Sequence, residues 1–271
     1  MGQRPSPHDD PLAFPGVPGP VAPTPRAAQR GRLTLVATPI GNLQDLTLRA
    51  LAVLREADAI ACEDTRRTLK VLAHYGIPRP GAFFSCHEHN ERAVVGRVLG
   101  LLGRDLAVAL CTDAGTPLLS DPGYLVAREA RSAGFPVEVV PGPSAVTAAL
   151  LASGLPAHAF TFRGFPPRKP GPRRRMLAAQ AGSDTTLVLF EAPGRLGSLL
   201  ADAAVAFGPE REAAVCVELT KRFEAVDRAP LGELAARYAD GGVRGEVTVV
   251  IAGIGREQAR EERRSGRRQE A

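Results

Sequence analysis

Four polar stretches follow apolar runs in the first half of the chain, the first and last of them mixing acid, glycine and proline: TPIGNLQDLTLRA at 38–50, CEDTRRT at 62–68, SCHEHNE at 85–91 and CTDAGTPLLSDPGY at 111–124. Glycine frees the backbone and proline fixes it, so the paired turns DAGTP and SDPG describe a loop built to hold one shape. A dinucleotide site would require GxGxxG after the first strand, and a P-loop would require GxxxxGK followed by Ser or Thr; neither is present. An exposed acid at such a strand end, Asp64 or Glu88, has the chemistry to position a substrate hydroxyl or take its proton. The structural alternatives are equally concrete. Asp64 or Thr65 has the place of a helix cap, and Ser85 with Glu88 has the spacing of a capping box. His87 and His89 beside Glu88 and Glu91 invite a metal reading, but side chains two apart at a helix start do not share a face, and no metal site is assigned.

In the second half, FEAPGRL at 190–196 and ELTKRFE at 218–224 again set acids at strand ends. Glu191, and Glu218 beside Lys221, are either structural ion pairs or partners in proton transfer. A lysine base needs its pKa lowered by burial or by neighbouring cations, whereas a glutamate needs its pKa raised. Between these motifs lies RGFPPRKPGPRRR, 163–175, with Arg163, Arg168, Lys169, Arg173, Arg174 and Arg175 and no acid. Its six cations exceed the net charge of +5 of the whole chain. Such a segment suits RNA phosphates, with Phe165 available to stack on a base; the plain alternative is a solvated loop entering a helix.

The elements that must position these residues follow from hydrophobic period. LTLVA, DAIAC, GAFFS, LAVAL and VEVV read as strands, with TLRALAVLREA, TRRTLKVLAHYG, ERAVVGRVLGLLG and YLVAREARSAG as the helices between them. This is a βα repeat with a mainly parallel, buried sheet. PGPSA at 141–145 halts the pattern, with Ser144 placed to cap the next helix. AFTFRG, TTLVLFE, AAVCVELT and EVTVVIAG are strands of a second set, with helices at RLGSLLADAAVAF and LGELAARY. The expected organisation is a Pro-rich tail at 1–31, α/β domains at 32–142 and 143–254, and a charged tail at 255–271. A cleft between two α/β domains favours a small ligand. Hydrophobic content of 44% supports a real core, and the lack of a long apolar run points to a soluble, cytoplasmic protein without a membrane span. Cys62, Cys86, Cys111 and Cys216 show no CxxC pairing and read as reduced core thiols.

Together, TPIGNLQDLTLRA, CEDTRRT, HEHNE, TDAGTPLLSDPG, PGPSA, FEAPGRL, ELTKRFE and GEVTVVIAG closely resemble the ribosomal RNA small-subunit methyltransferase I family of the tetrapyrrole methylase superfamily, in order from Leu33 to Gly253. TPIGNL with DAGTPLLSDPG is the specific part; PGPSA or ELTK alone would be weak. The resemblance implies a homodimeric class III methyltransferase of two αβα domains that binds S-adenosylmethionine in the cleft between them. It implies as substrate the 2′-hydroxyl of cytidine 1402 in the 16S rRNA of the small ribosomal subunit. Carried over residue by residue, the cofactor contacts are Asp113, Ala114, Gly115, Thr116, Ser144 and Ala145, joined by Ile40, Glu191, Ala192 and Thr220. Lys221, Glu191, Asp64 and Glu88 are the candidates for handling the hydroxyl proton, with Lys221 favoured beside Glu191 or Glu218. Asp121, in SDPG, is expected to cap the helix that follows. The family pattern has His where this chain has Gly194, so no imidazole role is assigned there, and both tails lie outside the resemblance. Small-molecule members carry a GPGDP-like segment in place of TPIGNL; a tetrapyrrole-type substrate and a noncatalytic RNA-binding factor are the alternatives.

Overall fold

The computed structural model describes residues 31–255, so the tails expected at 1–31 and 255–271 lie, but for their inner ends, outside the described residues. The first sheet contains β1 (Arg32–Val36), β2 (Ala59–Cys62), β3 (Ala82–Ser85), β4 (Ala107–Cys111) and β5 (Val137–Val140), all parallel in the order β3-β2-β4-β1-β5. Its inner strands β2 and β4 are apolar throughout because both faces are covered. Side chains alternate between the two cores: Leu33, Leu35, Ala59, Ala61, Val108 and Leu110 face one, whereas Val36, Ile60, Cys62, Ala109 and Cys111 face the other. Helices α3 (Glu91–Leu102) and α4 (Tyr124–Ser132) cover the first face with Val94, Val98, Leu102, Val126 and Ala130. Helices α1 (Leu48–Glu56) and α2 (Thr65–His74) cover the second with Leu51, Leu54 and Leu72. These elements match the expected runs to within a residue or two.

One consequence of this order locates a site. Strands β1 and β4 are neighbours, yet the chain leaves β1 toward α1 on one face and β4 toward α4 on the other. Two loops that part to opposite faces leave a crevice at the carboxyl ends of the strands, where open α/β sheets bind ligands.

The second sheet is mixed: β6 (Phe160–Phe162), β7 (Thr186–Glu191), β8 (Glu212–Val217), β9 (Ala225–Pro230) and β10 (Val247–Ile251) lie in the order β6-β7-β10-β8-β9, and only β6 and β7 pair in parallel. Helix α5 (Ala145–Ser153) covers one face through Val146, Ala149 and Leu150. Helices α6 (Pro170–Ala181), α7 (Leu196–Phe207) and α8 (Leu231–Arg237) cover the other. Strand β9 has no counterpart among the expected strands because it is an edge strand with half of its residues exposed, leaving no apolar run to detect. Ile40, in the loop after β1, packs into the α5 core of the second sheet and so joins the two halves. All four cysteines are buried and free, as expected; burial pushes the thiols of Cys62, Cys86 and Cys216 up to about 11, about 12 and about 11.

Candidate functional site

Hydrogen bonds fasten the strand-end loops to one another. Thr38 and Gly115 exchange both backbone bonds, at 2.9 and 3.0 Å, and the Thr38 hydroxyl donates to the Thr112 carbonyl at 3.2 Å. The Thr116 hydroxyl donates to the Pro143 carbonyl, and the Asn42 amide donates to the Thr220 hydroxyl, each at 3.2 Å. The loops after β1, β4, β5 and β8 therefore form one surface, which brings together Ile40, Asp113, Ala114, Gly115, Thr116, Ser144, Ala145 and Thr220. Gly115 has φ +80°, and a Cβ there would lie 3.1 Å from Ile40 Cγ2, so both conformation and space call for glycine. Glu191 and Ala192 stand at the same edge of the second sheet: Glu191 is opposite Val247, which is opposite Val217.

Several expected roles change. Ser144 holds the N-cap position of α5 but accepts no cap bond, leaving its hydroxyl uncommitted at the crevice. Asp64 does cap α2, accepting from the Arg66 amide at 2.9 Å; bonds from the Arg66 side chain and backbone hold its carboxyl down to about 2, so it is an anchor and a poor base. Asp113 accepts from the Asp64 amide at 2.9 Å and lies 3.4 Å from Arg67 Nε, so its carboxylate ties the β4 loop to the β2 loop. The backbone of 113–116 is what remains for a ligand.

Glu191 is not the partner of Lys221. Its carboxylate is 3% exposed, accepts from the Ala192 amide at 2.7 Å and is ion-paired with Arg195, which braces the turn after β7. Lys221 Nζ instead lies 2.8 Å from Glu218 Oε1 and 3.1 Å from Glu246 Oε2. Burial works to lower the Lys221 pKa, but the bonds from Glu218 and Glu246 outweigh it and the net shift is upward. This corrects the free-amine base: Lys221 is a held cation. Glu218 and Thr220 carry φ of +51° and +65°, backbone strain of the kind that collects at functional sites. The Lys221 stem runs over Gly41, where a Cβ would lie 2.3 Å from Lys221 Cγ.

Around SDPG the capping expectation also fails. Glu91 reaches from α3 to accept from the Gly123 and Leu125 amides at 3.0 and 2.6 Å, and so caps α4 in place of Asp121. Asp121 turns toward Thr112 and Glu63; burial first, then the Glu63 charge, pushes its carboxyl up to about 7. The capping box of Ser85 and Glu88 is absent as well. Asn90 stands at the N-cap of α3 without a cap bond and instead holds the turn before it, accepting from the His87 amide at 2.8 Å and donating to the Ser85 carbonyl at 3.0 Å, while Glu88 stays exposed in the turn. Glu91, Asp121 and Glu246 were missed as functional neighbours because their partners lie far along the chain.

The basic segment divides in two. Arg173 is 5% exposed, with Nη2 2.6 Å and Nε 2.7 Å from Asp202 Oδ2, and Arg174 Nε lies 2.7 Å from Asp202 Oδ1. Arg173 is thus a packing residue joining α6 to α7, which corrects its assignment to RNA. The spacing held the clue: Arg173 stands four residues before Leu177 and shares its buried helix face. Arg163, Arg168, Lys169 and Arg175 are exposed, with side chains unpaired among the described residues.

A family model described as tetrapyrrole (corrin/porphyrin) methylases matches residues 32–235. The ribosomal RNA small subunit methyltransferase I of Pseudomonas aeruginosa is 48% identical over 225 residues, covering 82% of this chain and 79% of that protein. Among solved structures, a uroporphyrin-III-C-methyltransferase from Thermus thermophilus is 28% identical, with a TM-score of 0.59 over 82% of this chain and 94% of that one. A second structure of such an enzyme, complexed with S-adenosylhomocysteine, is 23% identical with a TM-score of 0.57, over 82% and 97%.

Proposed function

The chain belongs to the tetrapyrrole methylase family, in its ribosomal RNA small subunit methyltransferase I branch, and on that footing we propose that it methylates the 2′-hydroxyl of a cytidine, cytidine 1402, in the 16S rRNA of the small subunit. S-adenosylmethionine is the methyl donor. The observation that carries the reading is the knot of strand-end loops at the reversal of strand order, tied through Thr38, Gly115, Thr116 and Thr220. The residues fit the cofactor: Gly115 lets the backbone of the β4 loop close on Ile40 with no side chain between, and the Ser144 hydroxyl is uncommitted. Ile40, the 113–116 backbone, Ser144, Ala145, Ala192 and Thr220 are the residues assigned to hold it.

Once bound, S-adenosylmethionine supplies an electrophilic methyl group on a sulfonium. The chain has to align the ribose oxygen and ease the loss of its proton to solvent water. The Lys221 ammonium, kept charged by Glu218 and Glu246, is assigned to stabilise the oxygen as negative charge develops on it. Glu191 and Asp64 are assigned to scaffold, and Arg163, Arg168, Lys169 and Arg175 to the phosphates.

A homodimer is part of the proposal. It is supported by apolar side chains left exposed at the second sheet and its helix, Leu151 on α5 (78% exposed) and Val226 on β9 (39%). No described helix is long and apolar enough to cross a membrane, and a ribosomal substrate supports a cytoplasmic site of action. Mapping 2′-O-methylation along 16S rRNA from cells with and without the protein tests the reading. Loss of one mark, at cytidine 1402, is expected; an unchanged map overturns it.

A further inference from the structure

A cavity of about 490 Å³ lies where the two halves meet, between residues 118–120 of the β4 loop and residues 162–167 after β6. That volume falls in the range of about 300–1,000 Å³ typical of small-molecule clefts. One wall is Leu118 and Leu119; the other is Phe162, Arg163, Phe165 and Met176. The aromatic wall is braced from behind, since the Phe190 ring lies 4.8 Å from Phe162 and 5.6 Å from Phe165. Phe165 nonetheless keeps 56% of its surface exposed. Across the gap, Leu118 and Ser120 carry φ of +71° and +68°, a strained backbone that persists only where its surroundings dictate it. The walls touch at one end, where a Cβ on Gly164 would lie 2.8 Å from Ser120 Oγ.

The position and charge of the cavity select its occupant. Residues 118–120 continue directly from the 113–116 loop, so the cavity opens beside the crevice assigned to the cofactor. Arg163 lines the cavity, and the chain runs on from its wall at Pro167 into the exposed cations Arg168, Lys169 and Arg175. An open slot with an exposed, rigidly backed ring, an arginine in its wall and further cations next along the chain is complementary to a base carried on phosphates. A base stacked in folded RNA must leave its stack for an enzyme to reach around its ribose.

We propose that this cavity seats an RNA base turned out of its stack, held against Phe165, so that the attached ribose is presented to the crevice. The proposal rests on the reading of the chain as an rRNA methyltransferase and extends it to a base-binding subsite. The chain contains no tryptophan, so Phe165→Trp places a single reporter in the full-length protein. A control variant, Val205→Trp, places one on the 84% exposed Val205 of α7. Short single-stranded RNA should quench the reporter at 165 and leave the one at 205 unchanged. Heparin, which has charge without bases, should compete for RNA binding without quenching. Bound RNA that fails to quench at 165, or equal quenching by heparin, overturns the proposal. Phe165→Ala should lower methylation of small subunits by roughly tenfold or more, with S-adenosylmethionine binding by calorimetry unchanged and Phe165→Tyr retaining activity; full activity in Phe165→Ala overturns the proposal too. Methylation of small subunits by the unaltered protein decides the functional reading separately, so the subsite can fail while that reading stands.

Discussion

Lys221 keeps its proton because two carboxylates face it, and that separates two chemistries the sequence left open. If its task is to hold positive charge, Lys221→Arg should retain part of the methylation rate. Lys221→Ala should lose about a hundredfold or more, the scale on which removing one stabilising donor is felt. S-adenosylmethionine binding by calorimetry should survive in both; an arginine variant as inactive as the alanine one would restore the free-amine reading. Asp121 runs the other way: its motif reads as a helix cap, and the residue is instead a half-buried carboxyl raised from 3.8 to about 7. Between those values the folded protein holds a proton that the unfolded chain has already released. Stability therefore falls as pH rises through that window. Asp121→Asn cannot ionise and should raise Tm above that of the parent at weakly alkaline pH, with the gain fading toward acid. Scanning calorimetry at both ends of the window checks it, and a gain independent of pH would count against ionisation of Asp121 as the cause.

Helix α6 shows how an element sorts residues that look alike in sequence. Three consecutive arginines read as one basic patch, yet the helical turn of about 100° per residue sends them to different faces. Arg173 falls on the face of Leu177 and meets Asp202 of α7, Arg174 closes over the same carboxylate, and Arg175 points outward. Removing Arg173 leaves a nearly buried Asp202 with one partner. Arg173→Ala should therefore lower unfolding stability by about 3 kcal/mol, read from urea titration, whereas Arg175→Ala should leave it unchanged and weaken RNA binding. The same contrast explains what sequence conveys about elements. Period and length located the first five strands and four helices because each carries a short apolar run or one apolar stripe. Pairings such as Glu91 with the amides of α4, or Lys221 with Glu246, depend on which loops the fold brings together, and no local pattern encodes them.

At the scale of the whole molecule, the two sheets were legible to different degrees for a physical reason. The first is built from uniform βα units, so strand order is the only unknown. In the second, the edge strand β9 lacks an apolar run, and its neighbours pair antiparallel through a strand drawn from the end of the chain. Motif matching found the crevice-lining loops, since each sits at a strand end where backbone shape is encoded by glycine and proline. It did not show which acids and cations in those loops are already engaged with one another. The place of β10 also bears on how the chain is made. Among the described residues β10 is the last strand in sequence, and it is the middle strand of its sheet, flanked by β7 and β8. During synthesis, the first sheet has all its strands once Val140 has emerged, but the second remains two open-edged halves until Val247–Ile251 leaves the ribosome. Unpaired edges of that kind recruit other chains. A ribosome that stalls shortly before Val247 would thus release a chain whose first half is folded and whose second half is adhesive.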